Sequence, residues 1–353
     1  NRAPYFDANL CVRIIGALLK QLSEKLDAVR LRAGMCLERL LAGEEVRVPF
    51  VPSRSLLLEA LGLCPTTGPA GSDEFSSTNW ANPADTFPLV MKAVNVEEFF
   101  EDVLSGMIIS VGGLTESVAK SSSSALLEWT NGLKRAGQKQ TVARMANVFL
   151  GLFERHRRDG RVLGPLLKTL DLLLSHGCLD DLLLDTNSQF SELLLLKLQS
   201  EAGGCVDVRR LLSAISVLLG LLHQLQSEEF KLQVLHCVMT FLAHRFPRVR
   251  RAAAENFYIK LAEDRPAVSS NPVVAEEVSN LLLESVWEGD LDSFLSAGSG
   301  SGSGVREVRN RIADLLGVRL SDRERRPPPK AKRRDNLGDE FASYASLVGE
   351  AGR

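Results

Sequence analysis

The run Pro247-Arg248-Val249-Arg250-Arg251-Ala252-Ala253 decides how this chain reads. A proline fits the first turn of a helix, where its missing N–H removes no bond, and the residues that follow set a Val and small Ala side chains in the next turn. Three other stretches share the form of an acidic residue or Pro, then Val-Arg, then mostly small residues. They are Asp27-Ala28-Val29-Arg30-Leu31-Arg32-Ala33, Asp207-Val208-Arg209-Arg210 and Glu307-Val308-Arg309-Asn310-Arg311-Ile312-Ala313. Such an opening suits the inner helix of a stacked helix pair. Val and Ala pack between neighbouring pairs, while a comb of Arg side chains reaches acids or carbonyls of the next unit.

Working outward, apolar residues recur at spacings of three and four, as in Leu26, Val29, Ala33, Leu37 and Leu40, and no stretch alternates convincingly as a strand would. The expected class is all-α. Val208 and Val249 stand 41 residues apart, inside the range of about 40–47 that HEAT and armadillo units use. The other spacings are not multiples of it, so the pattern predicts an irregular HEAT/armadillo-like α-solenoid of antiparallel helix pairs. The alternative is a non-repetitive helical domain with a few Arg-rich helix starts. Helix punctuation agrees with a helical array: Asn95 with Glu98 reads as a capping box, Asp207 as an N-cap, Pro247 and Pro272 as first-turn residues, and Gly43, Gly132, Gly160 and Gly177 as helix ends.

These signals divide the chain into HEAT-like helices over 1–63, a Pro/Gly-rich segment over 64–88, and a C-terminal helical domain over 89–295. A Ser/Gly linker over 296–304, a terminal helix over 305–317 and a disordered basic tail over 318–353 complete it. The 64–88 segment holds too many turn formers to be helical, and its Phe75, Trp80 and Phe87 predict that part of it packs back on the body. In the tail, Phe341, Tyr344, Leu347 and Val348 could share one face of a short helix.

Of 353 residues, 45% are hydrophobic and 24% charged, which excludes disorder of the whole. The longest apolar runs, such as Leu211 to Leu222, fall short of the roughly 18 residues needed to span a bilayer. The chain opens on Asn1 without a basic-then-apolar leader, and reads as a piece of a longer protein. The net charge of −2 conceals an asymmetry, because residues 305–334 carry 11 Lys/Arg against 4 Asp/Glu. Basic charge confined to one segment argues against a nucleic-acid binder, whose charge lies on its folded surface. Six well-separated cysteines read as reduced, buried, cytosolic thiols.

Catalytic signatures do not emerge. No Cys-x-x-Cys or His-Glu-x-x-His supplies convergent ligands, and His236 and His244, read as two turns apart on one helix, could not share an ion. Gly112-Gly113 lacks the Lys-Ser/Thr of a phosphate loop, and no serine occupies a Gly-x-Ser-x-Gly elbow. No cofactor is expected, and a helical enzyme with an unrecognised site is the weaker alternative. The run Ser121 to Ser124 falls mid-helix, where small residues serve close packing. Gly112-Gly113-Leu114-Thr115-Glu116-Ser117 could present backbone to a partner, or be a tight corner between two helices capped by Thr115. The string Lys330-Ala331-Lys332-Arg333-Arg334 could be a nuclear-import signal, an acidic-partner contact or a solvated tail.

A longer series of residues carries more than a fold class. It runs from Asn79-Trp80-Ala81-Asn82-Pro83 and Phe87-Pro88 through Ser110-Val111 into the Gly112–Ser117 corner. Pro165-Leu166-Leu167-Lys168-Thr169-Leu170-Asp171, His176-Gly177-Cys178 and His244-Arg245-Phe246-Pro247 follow. It ends with Val305-Arg306-Glu307, Arg309-Asn310-Arg311 and Asp314-Leu315-Leu316-Gly317. In order and spacing this series, spanning roughly residues 10–317, closely resembles the C-terminal part of the tubulin-folding cofactor D family. The resemblance implies a non-catalytic, HEAT-type cytoplasmic chaperone associated with the cytoskeleton. It would bind β-tubulin and work with the other tubulin-folding cofactors and an Arf-like small GTPase to assemble or recycle αβ-tubulin heterodimers, promoting GTP hydrolysis by tubulin. A HEAT-type adaptor for another cargo, such as a transport receptor or phosphatase scaffold, is the rival. Two features depart from the family: the Ser/Gly insert after Trp287 and the tail after Arg319. Because tubulin is acidic, Arg245, Arg248 and Arg251, left over from the Val-Arg comb, are expected partner contacts, with Gly112, Gly113, Leu114, Thr115, Glu116 and Ser117 as a second patch. The competing expectation is that these arginines pair within the chain.

Overall fold

The computed structural model describes residues 7–42, 48–63, 78–112, 115–185, 188–223, 227–289, 291 and 304–325. Among them lie seventeen α-helices, one 3₁₀ turn and no strand, so the all-α expectation holds. The chain forms two compact units, Asn1–Cys178 and Leu179–Arg353, and the segment expected over 89–295 is shared between them.

In the first unit, α1 (Ala8–Leu22) and α2 (Asp27–Leu41) pack as a hairpin. A short α3 (Arg54–Ala60) precedes α4 (Pro83–Ala93), and a 3₁₀ turn at Glu97–Phe99 runs into α5 (Phe100–Val111). Three longer helices follow: α6 (Glu116–Arg135), α7 (Lys139–Arg155) and α8 (Gly160–Ser175). Helix α5 is the central member, touching α1, α4, α6, α7 and α8, and its Phe100, Val103, Leu104, Met107, Ile108 and Val111 are all buried.

The first Val-Arg opening shows why these helices sit where they do. The expected stripe Leu26, Val29, Ala33, Leu37, Leu40 is rotated in the structure: Leu26 is exposed, while Arg30, Ala33, Gly34, Leu37 and Leu41 are buried. Arg30 takes a core position because carbonyls meet it there. It donates to the carbonyls of Glu24 and Ala81 and to Asp27 Oδ1. One turn further on, the indole of Trp80 lies so close that a Cβ on Gly34 would stand 2.2 Å from its Cγ, so only glycine fits. Trp80 Nε1 donates to Glu38 Oε1 at 2.7 Å, completing the lock.

The second unit comprises α9 (Asp180–Leu183), α10 (Phe190–Ala202), α11 (Val208–Gly220), α12 (Glu228–Leu242), α13 (Pro247–Glu263), α14 (Arg265–Val268), α15 (Pro272–Glu284), α16 (Val305–Leu315) and α17 (Asp322–Arg325). Helices α11, α12, α13 and α15 stack in sequence, and α16 lies against α12 and α15. Arg250 repeats the role of Arg30. It is 2% exposed and donates to four carbonyls: Trp287 at 2.7 Å, Gly289 at 2.6 Å, His244 at 2.8 Å and Arg245 at 3.3 Å. Arg309 is buried to the same degree. Arg209 is not: it is the second residue of its helix rather than the fourth or fifth, which puts it on a different face, and it is exposed.

Several expectations are corrected. Helix α4 begins at Pro83, inside the stretch expected to be non-helical, because Pro83 occupies the first turn and Asn82 Oδ1 caps Ala84 N–H at 3.2 Å. Trp80 and Phe87 pack inward as expected, whereas Phe75 lies outside the described residues. Asn95 and Glu98 form no capping box; Asn95 N–H still bonds to Lys92 at the end of α4, and Val96 leads into the 3₁₀ turn. Gly132 is inside α6, and Gly160 opens α8 behind the cap Asp159, while Gly177 ends α8 in the left-handed conformation. His244 falls beyond the end of α12 rather than sharing it with His236. The tail expected to be disordered from residue 318 is folded as far as Arg325, with Val318 and Leu320 buried. Cys36 is exposed, whereas Cys11, Cys178, Cys205 and Cys237 are buried thiols. Gly43, Cys64, residues 292–303 and 326–353, hence the Ser/Gly linker but for Gly304 and the remainder of the basic tail, lie outside the described residues.

Candidate partner-binding surfaces

The two sets of expected contact residues lie in different units, so each is a surface by itself. In the first, Gly112 ends α5 and Thr115 opens α6, accepting from Val118 N–H at 3.3 Å. The corner is therefore capped as the sequence suggested. Gly112 is required by packing: a Cβ there would come within 2.8 Å of Pro165 Cγ on α8. Gly113 and Leu114 lie outside the described residues. Thr115, Glu116 and Ser117 are exposed. Glu116 and Ser117 continue into a groove of about 730 Å³ between α4 and α6, lined also by Ala84, Lys120, Ser121, Ser124, Ala125 and Glu128. The serine run identified in the sequence thus borders this groove.

In the second surface, Phe246 is buried and turns the chain into α13. The Arg245 guanidinium lies over its ring, 4.5 Å from the centroid. Arg245, Arg248 and Arg251 are all exposed, and Arg248 and Arg251, three apart, share a helix face. Arg251 pairs with Glu255 at 2.7 Å and with Glu288 at 3.4 Å, and these two carboxylates raise its pKa. For Arg251 the expectation of pairing within the chain is met. His244, at the base of the turn, stacks on Phe241 and tilts against Phe246. Its Nδ1 accepts from Phe246 N–H at 3.2 Å, which leaves the neutral ring proton on Nε2. Burial, reinforced by Arg245 and Arg250, pushes its pKa down to about 4.

Sequence reasoning missed what adjoins Arg251. A groove of about 510 Å³ runs between α13 and the end of α15, lined by Ile259, Leu283 and Val286 with Tyr258 and Trp287. Ile259, Leu283 and Val286 are exposed apolar residues at 49%, 60% and 75%. The helical period assigns such residues to a core, so periodicity alone gave no signal that they face solvent. Among the described residues no three His, Cys, Asp or Glu side chains gather as metal ligands, and no helix is long and apolar enough to cross a membrane.

Comparison with known proteins places part of this chain in a family. The family described as tubulin folding cofactor D C terminal matches residues 12–210. The chain belongs to that family. The match covers more than half of the sequence and includes Trp80, the Gly112–Ser117 corner, the Gly112–Pro165 contact and the His176-Gly177-Cys178 turn. Membership gives a general role in tubulin folding, as a chaperone. Residues 211–317, which the motif series also placed in this family, lie beyond the matched stretch. No solved structure gives a significant match.

Proposed function

We propose that this chain is a non-catalytic tubulin chaperone fragment that binds β-tubulin in the cytoplasm, in association with the cytoskeleton. With the other tubulin-folding cofactors and an Arf-like small GTPase, it supports assembly and recycling of αβ-tubulin heterodimers. It hydrolyses no GTP by itself and promotes hydrolysis by tubulin within the full set. The observation that carries this reading is the family match over residues 12–210. The exposed arginines at the start of α13 and the exposed α6 corner support it, as surfaces suited to an acidic partner. Differential affinity for tubulin's nucleotide or partner states would drive handover from such a surface. The proposed contacts are Arg245, Arg248 and Arg251 on one surface and Gly112, Gly113, Leu114, Thr115, Glu116 and Ser117 on the other.

The test is capture of purified αβ-tubulin by the immobilised chain, followed by cross-linking mass spectrometry to locate the contacts. Retention of β-tubulin with cross-links at either surface is the expected result. Failure of both the chain and its full-length parent to retain tubulin overturns the reading in favour of an adaptor for another cargo.

A further inference from the structure

The three buried Val-Arg arginines are not equally satisfied. Arg250 donates to four carbonyls, and Arg30 to two carbonyls and a carboxylate, although the Arg30 Nε is also unmet. Arg309, 2% exposed, makes one hydrogen bond, from Nη2 to the Glu324 carbonyl at 2.7 Å, and its buried Nε has no partner. A guanidinium carries five N–H donors in a planar fork, and leaving them unmet in a buried site is costly. Burial and the neighbouring Arg306 lower the pKa of Arg309 to about 10.

What covers Arg309 is a short strap, Ser321 to Arg325. Glu324 serves it twice over. Its carbonyl accepts from Arg309 and, at 3.4 Å, from Arg306 Nη1, while its Oε1 lies 3.0 Å from His236 Nε2 on α12. The other oxygen, Oε2, accepts from Ser321 N–H at 2.8 Å and from Ser321 Oγ at 2.6 Å. Arg325 pairs with Asp314 at 2.5 Å, and its carbonyl accepts from Asn310 Nδ2 at 3.4 Å, while the buried Asn310 Oδ1 is unmet. Ser321, Asp322 and Arg323 are exposed, and the helix they start is a single turn. An acidic residue of the chain thus lies across two arginines and a histidine, through main chain and side chain together, yet leaves the deepest guanidinium mostly unused.

We propose that Ser321–Arg325 is an internal occupant of an anion-binding cleft formed by Arg306, Arg309 and His236, and that an acidic segment of a partner protein displaces it. The incoming carboxylates take the Arg309 fork in the bidentate manner that a single carbonyl cannot supply, and the strap lifts away. The present occupant is itself a peptide bearing Asp322 and Glu324, which favours an acidic peptide over a free phosphate. This cleft lies outside the surfaces assigned above to tubulin, and the inference does not depend on that reading.

The test uses the whole chain and fluorescein-labelled octaglutamate, read by anisotropy at low salt. A strap-loosened variant, Ser321→Ala with Glu324→Ala and Arg325→Ala, should bind roughly ten-fold more tightly than the parent, because the closed strap reduces the competent fraction. Arg309→Gln in that background should erase the gain. If that variant fails to fold by circular dichroism, Arg306→Gln at the half-buried rim supplies the same readout. Equal binding by parent and loosened chain, a gain insensitive to both arginines, or equal binding of octaglutamine overturns the proposal. So does failure of octaglutamate to bind while inorganic phosphate raises the melting temperature of the loosened variant, which assigns the cleft to phosphate instead.

Discussion

Arg250 Nε lies 2.7 Å from the carbonyl oxygen of Trp287, a residue 37 positions further along the chain. The same guanidinium also holds Gly289, so the first turn of α13 fixes the segment that follows α15. Arg250→Ala removes the donors and leaves buried carbonyls unmet, which should destabilise the second unit by about 3 kcal/mol. Arg250→Lys should recover less than half of this, because an ammonium cannot span four carbonyls. Thermal unfolding followed by circular dichroism measures both. A shift equal to that of exposed Arg248→Ala would contradict the assignment.

In the first unit the corresponding test is Gly34→Ala. The added methyl has nowhere to go against Trp80, so either the indole or α2 must move. Overpacking of this kind should cost about 1–3 kcal/mol. Trp80 emission should shift to longer wavelength as its bond to Glu38 opens, and an unchanged spectrum with unchanged stability would count against the contact.

His244 makes the second unit sensitive to acid. Its pKa in the folded chain, about 4, lies below the ordinary 6.5, so the unfolded chain binds the proton more readily. Stability from this group is complete above pH 6.5, falls as the pH drops toward 4, and is level below that. Between pH 7 and pH 5 the loss should be about 2 kcal/mol. His244→Asn should flatten this part of the pH–stability curve, measured by urea unfolding; a parallel curve would remove His244 as the cause.

Charge reversal at Arg245 and Arg248 should slow association with tubulin and weaken its salt dependence, while the helical content is retained. Arg251→Glu breaks the pairs with Glu255 and Glu288 and should lower the melting temperature as well. Stopped-flow association over a range of salt separates the two effects. Loss of stability without loss of rate at Arg245 and Arg248 would show that they act within the fold.

Much of this architecture was legible because its cause is local. The Val-Arg openings foretold arginines reaching carbonyls, as Arg30, Arg250 and Arg309 do, and Asp207, Thr115, Pro247 and Pro272 sit at helix starts as read. The failures arise where a local signal competes with a longer-range one. Pro83 looked like a breaker among turn formers, yet it starts a helix because Asn82 caps it and Trp80 is anchored from α2. Leu26 continued the apolar period but lost its core place to Arg30, since the carbonyls of Glu24 and Ala81 compensate the guanidinium. At the candidate surfaces, the Thr115 cap could be read from sequence. The groove beside Arg251 could not, because Ile259 and Leu283 become neighbours only once α13 and α15 pack.

The buried arginines have a consequence for how such a chain can diverge. Arg30 grips Ala81, beyond the stretch 64–77, and Arg250 grips Gly289, just before the stretch 292–303. Ala81 is thereby fastened to α2, and Gly289 to α13. The entropy of closing a connection grows slowly with length, by about 0.6 kcal/mol for each doubling. Insertions of Gly, Ser and Pro can therefore accumulate between helices while the helices keep their positions. Length polymorphism should concentrate at these two joints, and the guanidinium anchors beside them should resist exchange even for lysine.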